Sequence, residues 1–171
     1  FAALCKEAGQ DLPMPDGLSG LVEPSDAGFI AQALEWAMET PTARNEVFNL
    51  NNGDLMSQHQ VFPIAARCMN MKLSAPRRFK LTEEIAKLSG LWAGMVEKYG
   101  LNAPADLTEL FGNSLQIADG WANDTPPERL LGGGFSSNIK IRQAGFDVCV
   151  DNRVMVEKYV RRMQELRMVP A

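Results

Sequence analysis

The chain has 171 residues, 46% of them hydrophobic and 22% charged, with 21 acidic against 17 basic side chains and a net charge of −4. This balance belongs to one folded domain with a core of its own and excludes collagen-like, low-complexity and wholly disordered chains. The acidic excess argues against duplex nucleic acid as a partner, and no apolar run approaches the roughly 18 residues of a membrane span or forms a signal peptide.

In chain order, Phe1–Gly9 reads as a helix, with Phe1, Leu4, Cys5 and Ala8 on one face and Gly9 as its stop. No cap or polar lead-in precedes Phe1, so the expectation is a chain that begins inside a helix, as a piece of a longer protein would. Residues 10–24 are loop with two short strands, Leu12–Met14 and Leu21–Glu23. Ser25 or Asp26 caps a helix to about Glu39, Glu46–Leu50 is a short strand, and Asn51-Asn52-Gly53-Asp54 is a turn. Ser57 and Gln60 form a capping box that opens a helix to about Met69. A loop with Arg77-Arg78 leads to a helix from about Thr82 to Tyr99. Short helices follow at Asp106–Phe111 and Ser114–Trp121, then a loop with Pro126-Pro127 and Gly132-Gly133-Gly134. Ser137 caps a short helix to Ala144. Asp151 caps a last helix with the apolar stripe Val154, Met155, Tyr159, Met163 and Leu166. The reading is a helix-rich, incomplete α/β domain, because no full alternation of strand and helix is present.

The residues show no catalytic constellation. Cys5, Cys68 and Cys149 are far apart and form no metal-ligand cluster, so the expectation is reduced, mostly buried thiols in a cytoplasmic protein. His59 is the sole histidine and reads as a partly exposed helix residue. Lys98 and Tyr99 are adjacent, and Tyr159 is followed four residues on by Met163, so neither tyrosine has a lysine one helical turn away. The triple glycine follows no strand and is not a dinucleotide fingerprint. Arg77-Arg78 reads as solvated loop, and Glu83-Glu84 as a complement to the helix dipole.

Three segments carry a resemblance. Ser25-Asp26-Ala27 opens the Trp36 helix. Ala43-Arg44-Asn45-Glu46-Val47-Phe48-Asn49-Leu50-Asn51-Asn52-Gly53-Asp54 follows. Ser137-Asn138-Ile139-Lys140-Ile141-Arg142-Gln143-Ala144-Gly145-Phe146 comes last, with Asp151 and Met168-Val169-Pro170 beyond. Together they resemble the C-terminal half of extended short-chain dehydrogenases/reductases, and most of all the progesterone 5β-reductase and iridoid-synthase-like branch. The resemblance covers nearly the whole chain. It implies that residues 1–171 are the mostly helical substrate-binding half of a Rossmann-type α/β enzyme, with the strand near 46–50 joining the Rossmann sheet. The nucleotide-binding glycines and the catalytic Tyr and Lys would lie in a missing N-terminal half, so no catalytic or cofactor-binding residue is assigned here. The longer protein would use NADP or NAD to reduce a carbonyl or enone of a small hydrophobic substrate, with none of the cofactor bound by this chain alone. A homo-oligomer is compatible with this reading. Leu115, Ile117, Trp121 and Phe135 are the candidate pocket residues.

The sequence also departs from the branch. Gln58 and Phe62 stand where relatives often carry tryptophan, and residues 118–136 look longer than the matching stretch of the plant enzymes. A nucleotide-sugar epimerase or dehydratase of the same superfamily is an alternative. Such enzymes often place an Arg seven residues before the equivalent of Asp26, and Ser19 stands there instead. A non-catalytic binding protein that kept the fold and a stand-alone interaction domain are further alternatives.

Overall fold

The computed structural model describes residues 1–114, 117, 119–122 and 135–171, apart from the side chain of Trp121. It is mostly helical with a small sheet. In chain order the described elements are α1 (Ala2–Glu7), β1 (Leu21–Val22), α2 (Ala27–Glu39), β2 (Met56–Ser57), α3 (Val61–Cys68), α4 (Leu81–Leu88), α5 (Trp92–Tyr99), α6 (Leu107–Phe111), α7 (Ile139–Gln143) and α8 (Asn152–Glu165). β1 and β2 pair antiparallel, with Leu21 opposite Ser57 and Val22 opposite Met56. The segment after α1 makes only isolated parallel bridges, Leu12 with Leu73 and Pro15 with Arg77, where a strand over Leu12–Met14 was expected.

Helix starts follow the local chemistry. The buried Asp26 carboxylate accepts the Phe29 amide at 3.0 Å and caps α2. Asp106 accepts the Thr108 amide at 2.8 Å at the head of α6, and Asp151 accepts those of Arg153 and Val154 at the head of α8. The Ser57 and Gln60 capping box is formed, although its first turn, Gln58–Gln60, is 3-10 before α3 begins. α4 has no cap on its own N-cap residue, Lys80. Asp119 supplies one from 37 residues away, accepting the Thr82 amide at 2.9 Å.

The expected single helix over 82–99 is two helices separated by a 3-10 turn at Ser89–Leu91. Ser89 bonds back to the Ala86 carbonyl at 2.9 Å, and Gly90 follows it. Both residues weaken an α-helix locally. Gly100 then adopts φ +58°, a left-handed stop that glycine makes without steric cost.

Residues 46–50, expected as a strand, are irregular in this chain. Their burial still alternates: Phe48 and Leu50 pack inward while Val47 is 83% exposed. The period-two pattern is therefore present, but no described strand runs beside it, and a strand exists only as one side of a ladder.

Two apolar cores result. The larger joins α1, α3, α4 and α5 through Leu4, Phe62, Ile85, Trp92 and Met95. The smaller sets Phe29 and Ala33 of α2 against Ile141 of α7 and Phe146. Its rings interlock, with Phe29 5.4 Å and Trp36 5.4 Å from Phe146, and Trp36 5.7 Å from Phe48. On α8 the inward residues are Asn152 and Met155, and Val154, expected on the apolar stripe, is exposed. Among the described residues, no helix is long and apolar enough to cross a membrane.

Candidate functional site

An apolar cavity of about 570 Å³ lies between α1, α3, α6 and α8. Phe1, Ala2 and Ala3 form one wall, Val61, Phe62, Ala65 and Met69 a second, and Val160, Met163 and Val169 a third. Leu12, Leu81 and Phe111 add to it, and Ser114 and Ile117 stand on its exposed side. The walls are set by the two capped helices. The capping box starts α3 and Asp151 starts α8. An exposed Arg67–Glu157 ion pair at 2.7 Å ties the two together.

Of the four residues expected to line a pocket, Ile117 lines this cavity and is itself 69% exposed. Phe135 is exposed and is not among the residues around the cavity; its neighbour Ser136 lines a different recess. Leu115 and the side chain of Trp121 lie outside the described residues. The walls supplied by α3 and α8 were not anticipated. The i, i+4, i+8 spacing of Val61, Ala65 and Met69 was the available signal, and it reads equally as ordinary core.

The second recess, about 230 Å³, is polar and is lined by Glu23, Asn51, Asp54, Ser136, Asn138 and Arg142 among others. Its side chains are largely engaged with one another. The Asn51 amide donates to Glu23 Oε1 at 3.2 Å and to the Ser136 carbonyl at 2.9 Å, and its oxygen accepts from Asn138 at 2.7 Å. Glu23 Oε2 accepts the Ser136 amide at 2.7 Å. Asn51 and Asn52, expected as an open turn, are both buried.

Asn52 is fully buried and its side chain is spent within the fold. Its oxygen accepts the Asp26 amide at 2.7 Å, and its nitrogen donates to Asn152 Oδ1 at 2.8 Å and to Met155 Sδ at 3.2 Å. Asn152 returns to the same loop, donating to the Asp54 carbonyl at 2.9 Å. The two asparagines pin the head of α8 to the head of α2.

The titratable groups do not form a reaction centre among the described residues. Burial pushes the Cys5 thiol up to about 11, so at neutral pH it is protonated and not nucleophilic. Cys149, by contrast, is exposed, against the expectation of mostly buried thiols. His59 is buried, not partly exposed, because the 3-10 turn holds it with its amide on Ser19 Oγ at 3.0 Å. Its Nε2 has no partner among the described residues. Arg77 is not free loop: it pairs with Glu84 at 2.7 Å and lies 4.8 Å over the Phe79 ring. No described group of three His, Cys, Asp or Glu side chains is arranged to hold a metal ion.

The described residues do not fit a dinucleotide. The turn from β1 into α2 is Glu23-Pro24-Ser25-Asp26, without glycine. The positive end of α2, where a pyrophosphate would sit, already holds the Asp26 carboxylate. Burial disfavours that charge, but the Lys158 ammonium and the Phe29 amide outweigh it and hold the carboxyl below its ordinary value.

No protein-family profile matches the chain. Curated relatives do. The chain is 30% identical to 3-oxo-Delta(4,5)-steroid 5-beta-reductase of Arabidopsis thaliana over 104 residues, which is 57% of this chain and 27% of that protein. It is 24% identical to (S)-8-oxocitronellyl enol synthase of Camptotheca acuminata, with 99% of this chain and 44% of the relative aligned. The enol synthase of Nepeta cataria is 29% identical over 60% of the chain and 28% of the relative. The chain thus spans less than half the length of these relatives. They are of the branch that the three sequence segments resemble.

Proposed function

Starting from homology to steroid 5β-reductases and 8-oxocitronellyl enol synthases, members of the short-chain dehydrogenase/reductase superfamily, we propose that this chain is the substrate-binding portion of an NAD(P)H-dependent oxidoreductase. The reaction in this reading is reduction of a carbonyl or enone on a small hydrophobic molecule. Hydride comes from the nicotinamide, and the proton donor belongs to the remainder of the longer protein. The single observation that carries the reading is that the similar proteins are reductases and enol synthases along nearly the whole chain. The apolar cavity supports the hydrophobic part of it.

In the same reading residues 46–50 gain a strand neighbour from the remaining half. Their alternating burial and the exposed Val47 support this. The chain described here contributes shape and water exclusion, not proton or hydride transfer.

The test has two arms. Titration of the 171-residue chain with NADPH, followed by nicotinamide fluorescence, should show no micromolar binding. The longer protein should bind NADPH and oxidise it when supplied with hydrophobic enones or ketones. Micromolar NADPH binding by the short chain would contradict the division of labour. A longer protein without reductase activity on any such compound would favour a binding protein that kept the fold.

A further inference from the structure

The cavity has a direction. Leu12, Ala3, Phe62 and Met69 are buried and make a closed, wholly apolar end. Ser114 carries the sole side-chain hydroxyl in the described lining, and it stands with Ile117 on the exposed side. No titratable side chain lines the cavity among the described residues. A carbonyl driven to the closed end would leave its water partners and find no side-chain donor, whereas a hydrocarbon placed there loses nothing and removes apolar surface from water.

We propose that the cavity takes the hydrocarbon portion of the substrate tail-first and leaves the reacting carbonyl or enone at the mouth, so that this half selects hydrocarbon length and is indifferent to the head group. The inference rests on the reductase reading for its substrate, but it concerns orientation alone. The functional group would be recognised only outside the cavity, by groups that this lining does not contain.

The test is an NMR titration of the 171-residue chain with two homologous series, 1-alkanols and 2-alkanones from five to ten carbons. The methyl resonances of Met69 and Met163 report from two walls of the cavity. The dissociation constant should fall about three- to fourfold for each added methylene until the cavity is full, and should agree within about twofold between an alcohol and a ketone of equal length. Met163→Trp and, from another part of the lining, Val169→Trp should each flatten the length dependence. Val154→Trp, exposed on α8 and outside the lining, should leave it intact.

Affinity that follows the head group and not the length would place the polar end inside and overturn the proposal. So would a length dependence unchanged in both filling variants, or methyl signals that do not move. None of these outcomes bears on whether the longer protein transfers hydride, which the NADPH assay decides separately.

Discussion

Asn52 and Asn152, one hundred residues apart, meet side chain to side chain, with Asn52 Nδ2 donating to Asn152 Oδ1 at 2.8 Å. Both are fully buried. Asn52→Ala would strand the Asp26 amide and Asn152 Oδ1, each a buried polar group costing about 1–3 kcal/mol when unpaired. A loss of about 2–4 kcal/mol is expected by urea denaturation. The double change with Asn152→Ala should cost less than the sum of the two, because the pair acts as one unit. Additive losses would show that the two side chains stabilise the fold independently.

Asp26 combines a helix cap with the Lys158 ion pair. Removing both functions in Asp26→Ala should cost about 1–2 kcal/mol, whereas Asp26→Asn keeps a capping oxygen and should cost less at neutral pH.

The same substitution isolates a pH effect. The Asp26 carboxyl is held below its ordinary value in the folded chain, against about 3.9 when unfolded. The charge therefore stabilises the fold above that unfolded value, and the contribution is lost as pH falls through the folded one. Glu7, Glu84 and Glu157 are shifted the same way by their Lys and Arg partners, so the whole chain weakens in acid. The gap in urea midpoint between the unaltered chain and Asp26→Asn should shrink from about pH 7 to about pH 3. An unchanged gap would remove Asp26 from the acid response.

Gly53 has φ +77°, and a Cβ there would stand 2.5 Å from Arg142 Nη2. Gly53→Ala should therefore carry two costs, a left-handed backbone penalty of about 1–2 kcal/mol and displacement of the guanidinium. Adding Arg142→Ala should relieve the second and leave the first. Thermal denaturation of the three variants separates the two contributions.

Ile30, Leu34 and Met38 repeat every four residues on α2, and all three are exposed, Met38 at 81%. An apolar stripe of this kind drives association when nothing covers it. Sedimentation of the 171-residue chain should depend on concentration, and Leu34→Glu with Met38→Glu should shift it towards a monomer. A concentration-independent monomer in the unaltered chain would count against this.

How far the structure could be read from residues alone depended on range. α2, α6 and α8 were readable because each carries its cap beside its apolar positions, at Asp26, Asp106 and Asp151. The start of α4 was less so, because its cap, Asp119, comes from elsewhere in the chain. Asn51 and Asn52 have turn chemistry, and nothing near them in sequence announces burial, since their partners are Glu23, Ser136, Asn138 and Asn152. Residues 46–50 show the opposite limit: the alternation is plain, but pairing depends on a neighbour that local pattern does not contain. Ile117 was found because apolar residues beside a loop are reasonable pocket candidates, whereas the walls from Val61 and Val160 looked like any helix interior.

The two apolar cores have a kinetic consequence. The smaller one, around Phe29 and Phe146, is fastened near the heads of α2 and α8 by a few asparagine hydrogen bonds. Hydrogen bonds of that kind let go together, since each member holds the next in place. α2 and α7 should therefore open as one cooperative unit while α3, α4 and α5 stay closed, giving amide protons in this chain two distinct exchange clocks.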